Sequence, residues 1–185
     1  MNKSLLIGIG VVLFLGFLGF LYVQKTYDRA VELQETVDQK WGDVGASYQR
    51  RADLVPNLVA TVQGAADIEK EILTSVTEAR AGIVRAQTPQ DMELMGRKIN
   101  TAINLAFEAY PQIRSTANFA ELQAQLEGTE NRIAVARNNY NEAVKNYNSH
   151  RRGFVRRLVL GEEFDKREPF EEAAGSEVAP AVKFD

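Results

Sequence analysis

The sequence predicts an all-α protein: an N-terminal transmembrane helix followed by an elongated antiparallel bundle of about four long helices. An uninterrupted apolar run lies near the N-terminus, and apolar residues recur every three or four positions in most of the remaining chain. Of the 13 glycines in the 185 residues, four fall within positions 8–19, so the rest is poor in the turn residues that a β domain needs.

The composition excludes several classes of chemistry. The chain has no cysteine and one histidine, which excludes disulfides, thiolate metal sites, a cysteine nucleophile and any two-histidine metal site. No nucleophile elbow, phosphate-binding loop or H-E-x-x-H motif occurs in the sequence. We therefore expect a protein that is not an enzyme and that uses no cofactor.

The first element is an apolar run of 19 uncharged residues, Leu5 to Val23. As a helix it would span about 28 Å, close to the thickness of the hydrocarbon core of a bilayer. The alternative is a cleaved signal peptide, but the run is longer than usual for one and no A-x-A-like site follows. The residues expected to contact lipid are Leu5, Leu6, Ile7, Val11, Val12, Leu13, Phe14, Leu15, Phe17, Leu18, Phe20, Leu21, Tyr22 and Val23.

The orientation of this anchor is weakly specified by charge. Lys3 precedes the apolar run, whereas Lys25, Arg29 and Lys40 follow it. Because positive charge is retained on the cytoplasmic side, the balance favours a cytoplasmic C-terminal domain.

Two helices are predicted directly after the anchor. Tyr27, Val31, Val37, Val44 and Tyr48 belong to an apolar stripe at helical spacing, which Trp41 also joins. For the second helix we expect a start at Asp53, with Pro56 in the first turn, where its missing N–H costs little. The alternative is one continuous helix that contains Pro56.

Two further helices have clearer signals. Thr88, Pro89 and Asp91 form a helix start, and Pro111 ends the third helix. Asn118 with Glu121 resembles a capping box that opens a fourth helix of roughly 30 residues. Its apolar positions, in three-four order, are Phe119, Leu122, Leu126, Thr129, Ile133, Ala136, Tyr140, Ala143 and Tyr147.

The predicted organisation has three parts. Residues 1–24 form the anchor, residues 25–160 the helical bundle, and residues 161–185 a poorly ordered acidic tail. From position 162 onward the tail holds eight acidic and three basic residues, a composition typical of solvated chain.

Four stretches carry a resemblance to a known family. They are residues 27–31, Trp41 with YQRRADLVPNLV at 48–59, YPQIRSTANFAEL at 110–122, and TENRIAVARNNYNEAVKNYN at 129–148. In these stretches the chain resembles the LemA family of bacterial membrane-anchored proteins. The resemblance implies an N-terminal transmembrane helix followed by a helical bundle, location in the bacterial inner membrane, and no established activity or cofactor. It departs after His150, where members commonly have a segment rich in Phe and Pro.

Polar residues on the predicted helices are the candidate interface. Arg50 and Arg51 lie beside Asp53, which as a helix cap needs no other explanation. Asparagine is a mediocre helix former, so its abundance in the fourth helix needs compensation. A solvated face is the simplest explanation; a hydrogen-bonded contact with a second subunit is the alternative. The possible interface residues are Arg50, Arg51, Asn131, Asn138, Asn139 and Asn141.

A basic cluster follows the fourth helix. It consists of Arg151, Arg152, Arg156 and Arg157. A nearby acidic tail argues against nucleic acid, so we expect contact with anionic lipid instead.

These observations predict a non-catalytic, membrane-anchored scaffold that forms a homo-oligomer and organises the membrane surface. One alternative is an adaptor for a membrane protease or another integral membrane protein. The other is an unrecognised hydrolase or lipid-modifying enzyme, which would need a concave polar pocket.

Overall fold

A computed structural model of the chain describes residues 3–60, 66–111, 117–161 and 163–171; of these, the side chains of residues 3–5, 66–68 and 117–119 are not described. Within these ranges the backbone forms five helices and no strand, which confirms the predicted all-α class. The helices are α1 (Lys3–Ala60), α2 (Ala66–Arg85), α3 (Pro89–Ala109), α4 (Ala117–Arg151) and α5 (Phe154–Leu160).

Helix α1 is continuous through Pro56, so the predicted helix start at Asp53 is wrong and the alternative of one continuous helix is correct. The Asp53 carboxylate instead forms an ion pair with Arg80 of α2. A Pro in a helix interior removes one backbone hydrogen bond. Here burial of the neighbouring Val55 and Leu58, each no more than 1% exposed, keeps this turn helical.

The buried stripe of α1 differs from the prediction in its first part. Tyr27 and Val31 are each 39% exposed, whereas the neighbouring Ala30 and Leu33 are buried. From Val37 onward the predicted positions Val37, Val44 and Tyr48 are buried, and Trp41 is half-buried. The periodicity predicted the helix correctly, but near the anchor the buried positions lie one residue earlier in the sequence than predicted.

Helix α3 begins and ends where the sequence predicts. The Thr88 hydroxyl accepts a hydrogen bond from the Asp91 N–H at 3.1 Å, and the Asp91 carboxylate accepts from the Thr88 N–H at 3.2 Å. This capping box satisfies two of the donors that a helix start leaves unpaired. Tyr110 closes the helix immediately before Pro111.

Helix α4 has the predicted inner face from Leu126 to Tyr147, and its buried residues include Ile133, Tyr140 and Val144. The predicted capping box at Asn118 and the core position Phe119 lie outside the described side chains. Helix α5, which the sequence reading did not predict, follows α4 after a turn at Arg152 and Gly153.

The chain divides into two compact units. Unit 1 contains residues 1–42 and 142–167, and unit 2 contains residues 43–141 and 168–185. In unit 2, α2 and α3 form a helical hairpin joined by residues 86–88. The core of unit 2 holds large side chains from all four of its helical segments, among them Val55, Leu58, Ile72, Met92, Ile99 and Ile133.

Unit 1 is built from the first part of α1, the last turns of α4, α5 and residues 163–167. Its buried residues include Ala30, Val37, Val144, Tyr147, Leu160 and Phe164. Residues 163–171 belong to the predicted acidic tail, and several of them make the specific contacts given below. Its remaining part, residues 172–185, lies outside the described residues.

Candidate functional site

Unit 2 contains a polar cleft of about 370 Å³ between side chains of α1, α3 and α4. It combines cationic, anionic and neutral polar groups around a buried tyrosine. The lining residues are Tyr48, Arg51, Glu93, Gly96, Arg97, Asn100, Glu130, Ile133, Arg137 and Glu171.

Arg51 joins three elements of this cleft. Its Nε donates to Asn100 Oδ1 at 2.9 Å, and its Nη1 donates to the Leu126 carbonyl at 3.3 Å. The same guanidinium forms an ion pair with Glu130, and the Arg51 side chain is only 12% exposed. These bonds compensate the charge of Arg51 within unit 2. The neighbouring Arg50 is exposed to solvent.

Arg137 forms the second ion pair of the cleft. Its Nη2 lies 2.6 Å from Glu93 Oε1, and both side chains are 26% exposed. Its guanidinium carbon lies 4.8 Å from the centroid of the Phe170 ring, a cation–π contact, and Nη2 also donates to the Glu171 carbonyl at 3.0 Å. Burial raises the pKa of the neighbouring Tyr48 hydroxyl above its usual value, and the positive charge of Arg137 opposes this effect.

Gly96 lets α3 approach Tyr48 closely. A Cβ atom at position 96 would lie 2.5 Å from Cε1 of the Tyr48 ring, well inside van der Waals contact. Tyr48 is only 5% exposed, so a shift of its ring would disturb the packing around it. A glycine at this position is therefore a packing requirement.

Ion pairs in the cleft link the helices that line it. Its two most buried guanidinium groups, those of Arg51 and Arg137, are each matched by a carboxylate, Glu130 and Glu93. Such pairs fix the geometry of the helices that carry them. In the ranges that the structure describes, no group of three or more His, Cys, Asp or Glu residues is arranged to hold a metal ion.

The predicted interface asparagines fall into two groups. Asn131, Asn138 and Asn139 are exposed on α4. Asn141 instead binds the backbone of its own chain: its Nδ2 donates to the Phe170 carbonyl at 3.0 Å, and its Oδ1 accepts from the Phe170 N–H at 2.8 Å. An amide side chain thus pairs with the backbone of a non-helical segment as another peptide group would.

Asn148 makes the same paired contact in unit 1. Its Nδ2 donates to the Arg167 carbonyl at 2.8 Å, and the Arg167 N–H donates to its Oδ1 at 3.1 Å. Asn148 is one of the asparagines of the fourth helix, but it is not among the predicted interface residues. The signal that identifies it is the seven-residue spacing from Asn141, with Tyr140 and Tyr147 immediately before the two asparagines.

The apolar part of α1 is fully exposed. Among the described residues, α1 is the one helix long and apolar enough to cross a membrane; its most apolar window has a mean hydropathy of 2.6. The large apolar side chains from Leu6 to Val23 are between 44% and 69% exposed, and the side chain of Leu5 is not among those described.

Next to this apolar stretch, unit 1 closes around α1. His150 Nε2 lies 3.2 Å from the carbonyl oxygen of Thr26, which is 5% exposed. The rings of Tyr27 and Phe164 make an edge-to-face contact with a centroid distance of 5.3 Å. The last turn of α4 and residue 164 are thereby held against the first turn of α1 beyond the apolar run.

The predicted lipid-contact arginines occupy different environments in unit 1. Arg152 and Arg157 are exposed. Arg156 Nη1 donates to the His150 carbonyl at 3.3 Å. Arg151 Nη2 lies 3.6 Å from Asp165 Oδ1, and its Nε is buried without a hydrogen-bond partner in the described part of the chain. Of the four arginines, Arg152 and Arg157 are thus the two that are exposed.

Comparison with known proteins gives a consistent relationship. Residues 40–184 match the LemA family. The chain is also similar to the protein LemA of Metamycoplasma hominis, with 22% identity over 142 residues, which cover 75% of this chain. The matched region spans 64% of the length of that relative.

Proposed function

We propose, from the premise that this chain belongs to the LemA family, that it is a non-catalytic scaffold. In this proposal the apolar part of α1 anchors it in the bacterial inner membrane, its helical bundle lies on the cytoplasmic side, and it associates with copies of itself to organise the membrane surface.

The observation that carries the proposal is the continuity of α1. One helix, Lys3–Ala60, includes both the exposed apolar stretch and the buried stripe that enters the cores of both units. Transferring such a stretch from water to hydrocarbon is strongly favourable, and beyond the first turn its backbone groups are paired within the helix. This supports an anchor that is joined to the bundle by one uninterrupted helix.

The charged cleft supports a structural role. Its two best-shielded arginines bind the carboxylates of Glu130 and Glu93 in the same unit. An acid–base mechanism would need these carboxylates free, whereas here they join helices. The bundle then supplies a rigid surface, which is what a scaffold requires.

The exposed asparagines of α4 support self-association. Asn141 is explained by its bonds to Phe170, but Asn131, Asn138 and Asn139 remain at exposed positions in a helix that they do not favour. Amide groups that pair across a subunit contact fix its register. The proposal places these three side chains at that contact.

The mass of the full-length protein in mild detergent tests self-association. We expect an oligomer, and we expect the double substitution Asn131→Ala with Asn138→Ala to reduce its size. Asn57→Ala, an exposed asparagine of α1, is the matched control. A monomer for the unmodified protein, or an unchanged oligomer for the double variant, would contradict the proposed contact.

Crosslinking in native membranes separates the scaffold from an adaptor. A scaffold should give a ladder of its own multiples. A single crosslinked band that contains one foreign membrane protein would indicate the adaptor function and replace the proposal.

A further inference from the structure

We propose that α5 is a second membrane-contact element, which lays the side chains of Phe154, Val155 and Leu158 into the lipid interface beside the transmembrane span. This inference rests on the proposed function, because it takes α1 to be inserted in a bilayer.

One side of α5 is apolar and exposed. Phe154 is 86% exposed, Leu158 79% and Val155 52%. At about 100° per residue these three side chains occupy a single sector of the helix. Leu160 points to the opposite side and is 3% exposed, so α5 is fixed to unit 1 by one face and displays the other. A contiguous apolar face of this kind marks an interaction surface, unlike isolated exposed apolar residues.

The position of α5 within unit 1 matches the edge of a bilayer. Tyr22, in the last turn of the apolar run, lines one cleft together with Phe154 and Val155. Tyrosine is enriched where the hydrocarbon region meets the headgroups. The start of α5 therefore lies at the level where the transmembrane stretch ends.

The charges around this face suit phospholipid headgroups. Arg152 precedes α5, Arg157 borders its apolar sector, and both are exposed. Guanidinium groups bind phosphate oxygens in pairs, and cationic residues beside an apolar face are typical of helices that lie in the interface. A neighbouring cleft of unit 1 contains two acidic residues of α1 and three cationic ones, so positive charge also predominates there; the charged residues are Asp28, Glu32, Lys25, Arg29 and Arg156.

The lipid interface is the occupant that these features favour over a protein. The apolar face continues the exposed apolar surface of α1 through Tyr22, and arginines at its border complement anionic headgroups. Two other occupants could cover α5, a second copy of the chain or residues 172–185. The following experiment distinguishes both from lipid.

The chain has no cysteine, so a single introduced cysteine gives a unique attachment point for a fluorescent label. Full-length Leu158→Cys, Val84→Cys and Leu13→Cys are labelled with a polarity-sensitive fluorophore. They are reconstituted in vesicles of phosphatidylcholine and phosphatidylglycerol. Val84, 74% exposed in α2, is the matched apolar control, and Leu13 reports on the span itself. Circular dichroism checks that each variant keeps its helices.

We expect the label at position 158 to emit at shorter wavelength than the label at 84. Aqueous iodide should quench the label at 158 several-fold less than the label at 84. Lipids with a spin label near the headgroup should quench the label at 158 strongly. Equal water accessibility at positions 158 and 84 would overturn the inference. Protection of the label at 158 from iodide without quenching by the lipids would also overturn it, because that result indicates that protein covers α5. A label at 13 that is open to iodide would instead overturn the proposed anchor itself.

Discussion

Gly96 shows how a single missing side chain fixes the spacing of two helices. In most helix interiors a change from Gly to Ala is stabilising, by about 1 kcal/mol, because glycine costs backbone entropy. At position 96 the new methyl group would meet the buried Tyr48 ring at 2.5 Å, so steric overlap outweighs this gain.

We therefore expect Gly96→Ala to lower the free energy of unfolding by about 1–3 kcal/mol, the usual cost of overpacking a core. Gly128→Ala in α4 is the matched control, because nothing lies within 4 Å of its new Cβ, and it should be stabilising by about 1 kcal/mol. Thermal unfolding followed by circular dichroism measures both. A stabilised Gly96→Ala variant would refute the close approach.

Asp91 gives α3 a pH-dependent start. Its pKa is lowered from the ordinary 3.8, first by the side-chain hydrogen bond with Thr88 and then by the backbone N–H groups of Gln87 and Thr88. Because the folded pKa lies below the unfolded one, its stabilising effect is present above about pH 4 and disappears as the pH falls through the folded value.

We expect Asp91→Asn to lower the melting temperature at neutral pH and to lose this difference below the folded pKa, where the wild-type carboxylate is protonated too. Parallel melting curves from pH 7 to pH 2 measure the effect. Glu142→Gln, which alters an exposed carboxylate of α4 remote from any helix start, is the control. A difference that stays constant down to pH 2 would contradict the cap.

At the scale of elements, Asn141 connects α4 to a non-helical segment. Asn141→Ala removes two hydrogen bonds to Phe170, each with a net value of about 0.5–1.5 kcal/mol. We expect faster hydrogen exchange at the Phe170 amide and earlier proteolysis near Glu171. Asn146→Ala, which changes another exposed asparagine of α4, should leave both rates unchanged. Equal rates in the two variants would show that the amide pairing does not hold the segment.

The sequence predicts helices well where the signal is local. Thr88 and Pro89 start α3, and Pro111 follows its end, because caps and proline act on adjacent backbone groups. Asp53 misled the prediction because its partner, Arg80, is 27 residues away and becomes a neighbour only after folding. A proline that looks like a helix start can lie inside a helix when its neighbours are buried.

The candidate sites were predictable only in part, for a related reason. Periodicity identifies the apolar seam, but it does not reveal which polar group a residue beside the seam will meet. Arg51 stood out in the sequence, whereas its partners Asn100 and Glu130 did not. Asn141 and Asn148 bind the backbone of Phe170 and Arg167. The segment that carries these two residues has no periodic pattern, so its sequence does not indicate the contact.

At the scale of the whole molecule, the anchor makes a direct prediction about membrane retention. We expect the protein to remain in the membrane after a wash at alkaline pH. Leu13→Lys places a charge at the centre of the span, which costs about 2.5–3.5 kcal/mol and should reduce the retained fraction. Gln24→Lys, just beyond the apolar run, is the control and should be retained fully. A wild-type protein released by the wash would contradict the anchor.

The bond between His150 and the Thr26 carbonyl joins residues 124 positions apart. A ribosome adds about 5–20 residues per second, so the first turn of α1 beyond the apolar run is made roughly 6–25 s before its partner. Throughout that interval its inner face is uncovered, and contacts of such high sequence separation form late. A transcript that ends before codon 142 would therefore damage unit 1 at the opposite end of the chain, leaving the nascent α1 exposed to chaperones and proteases.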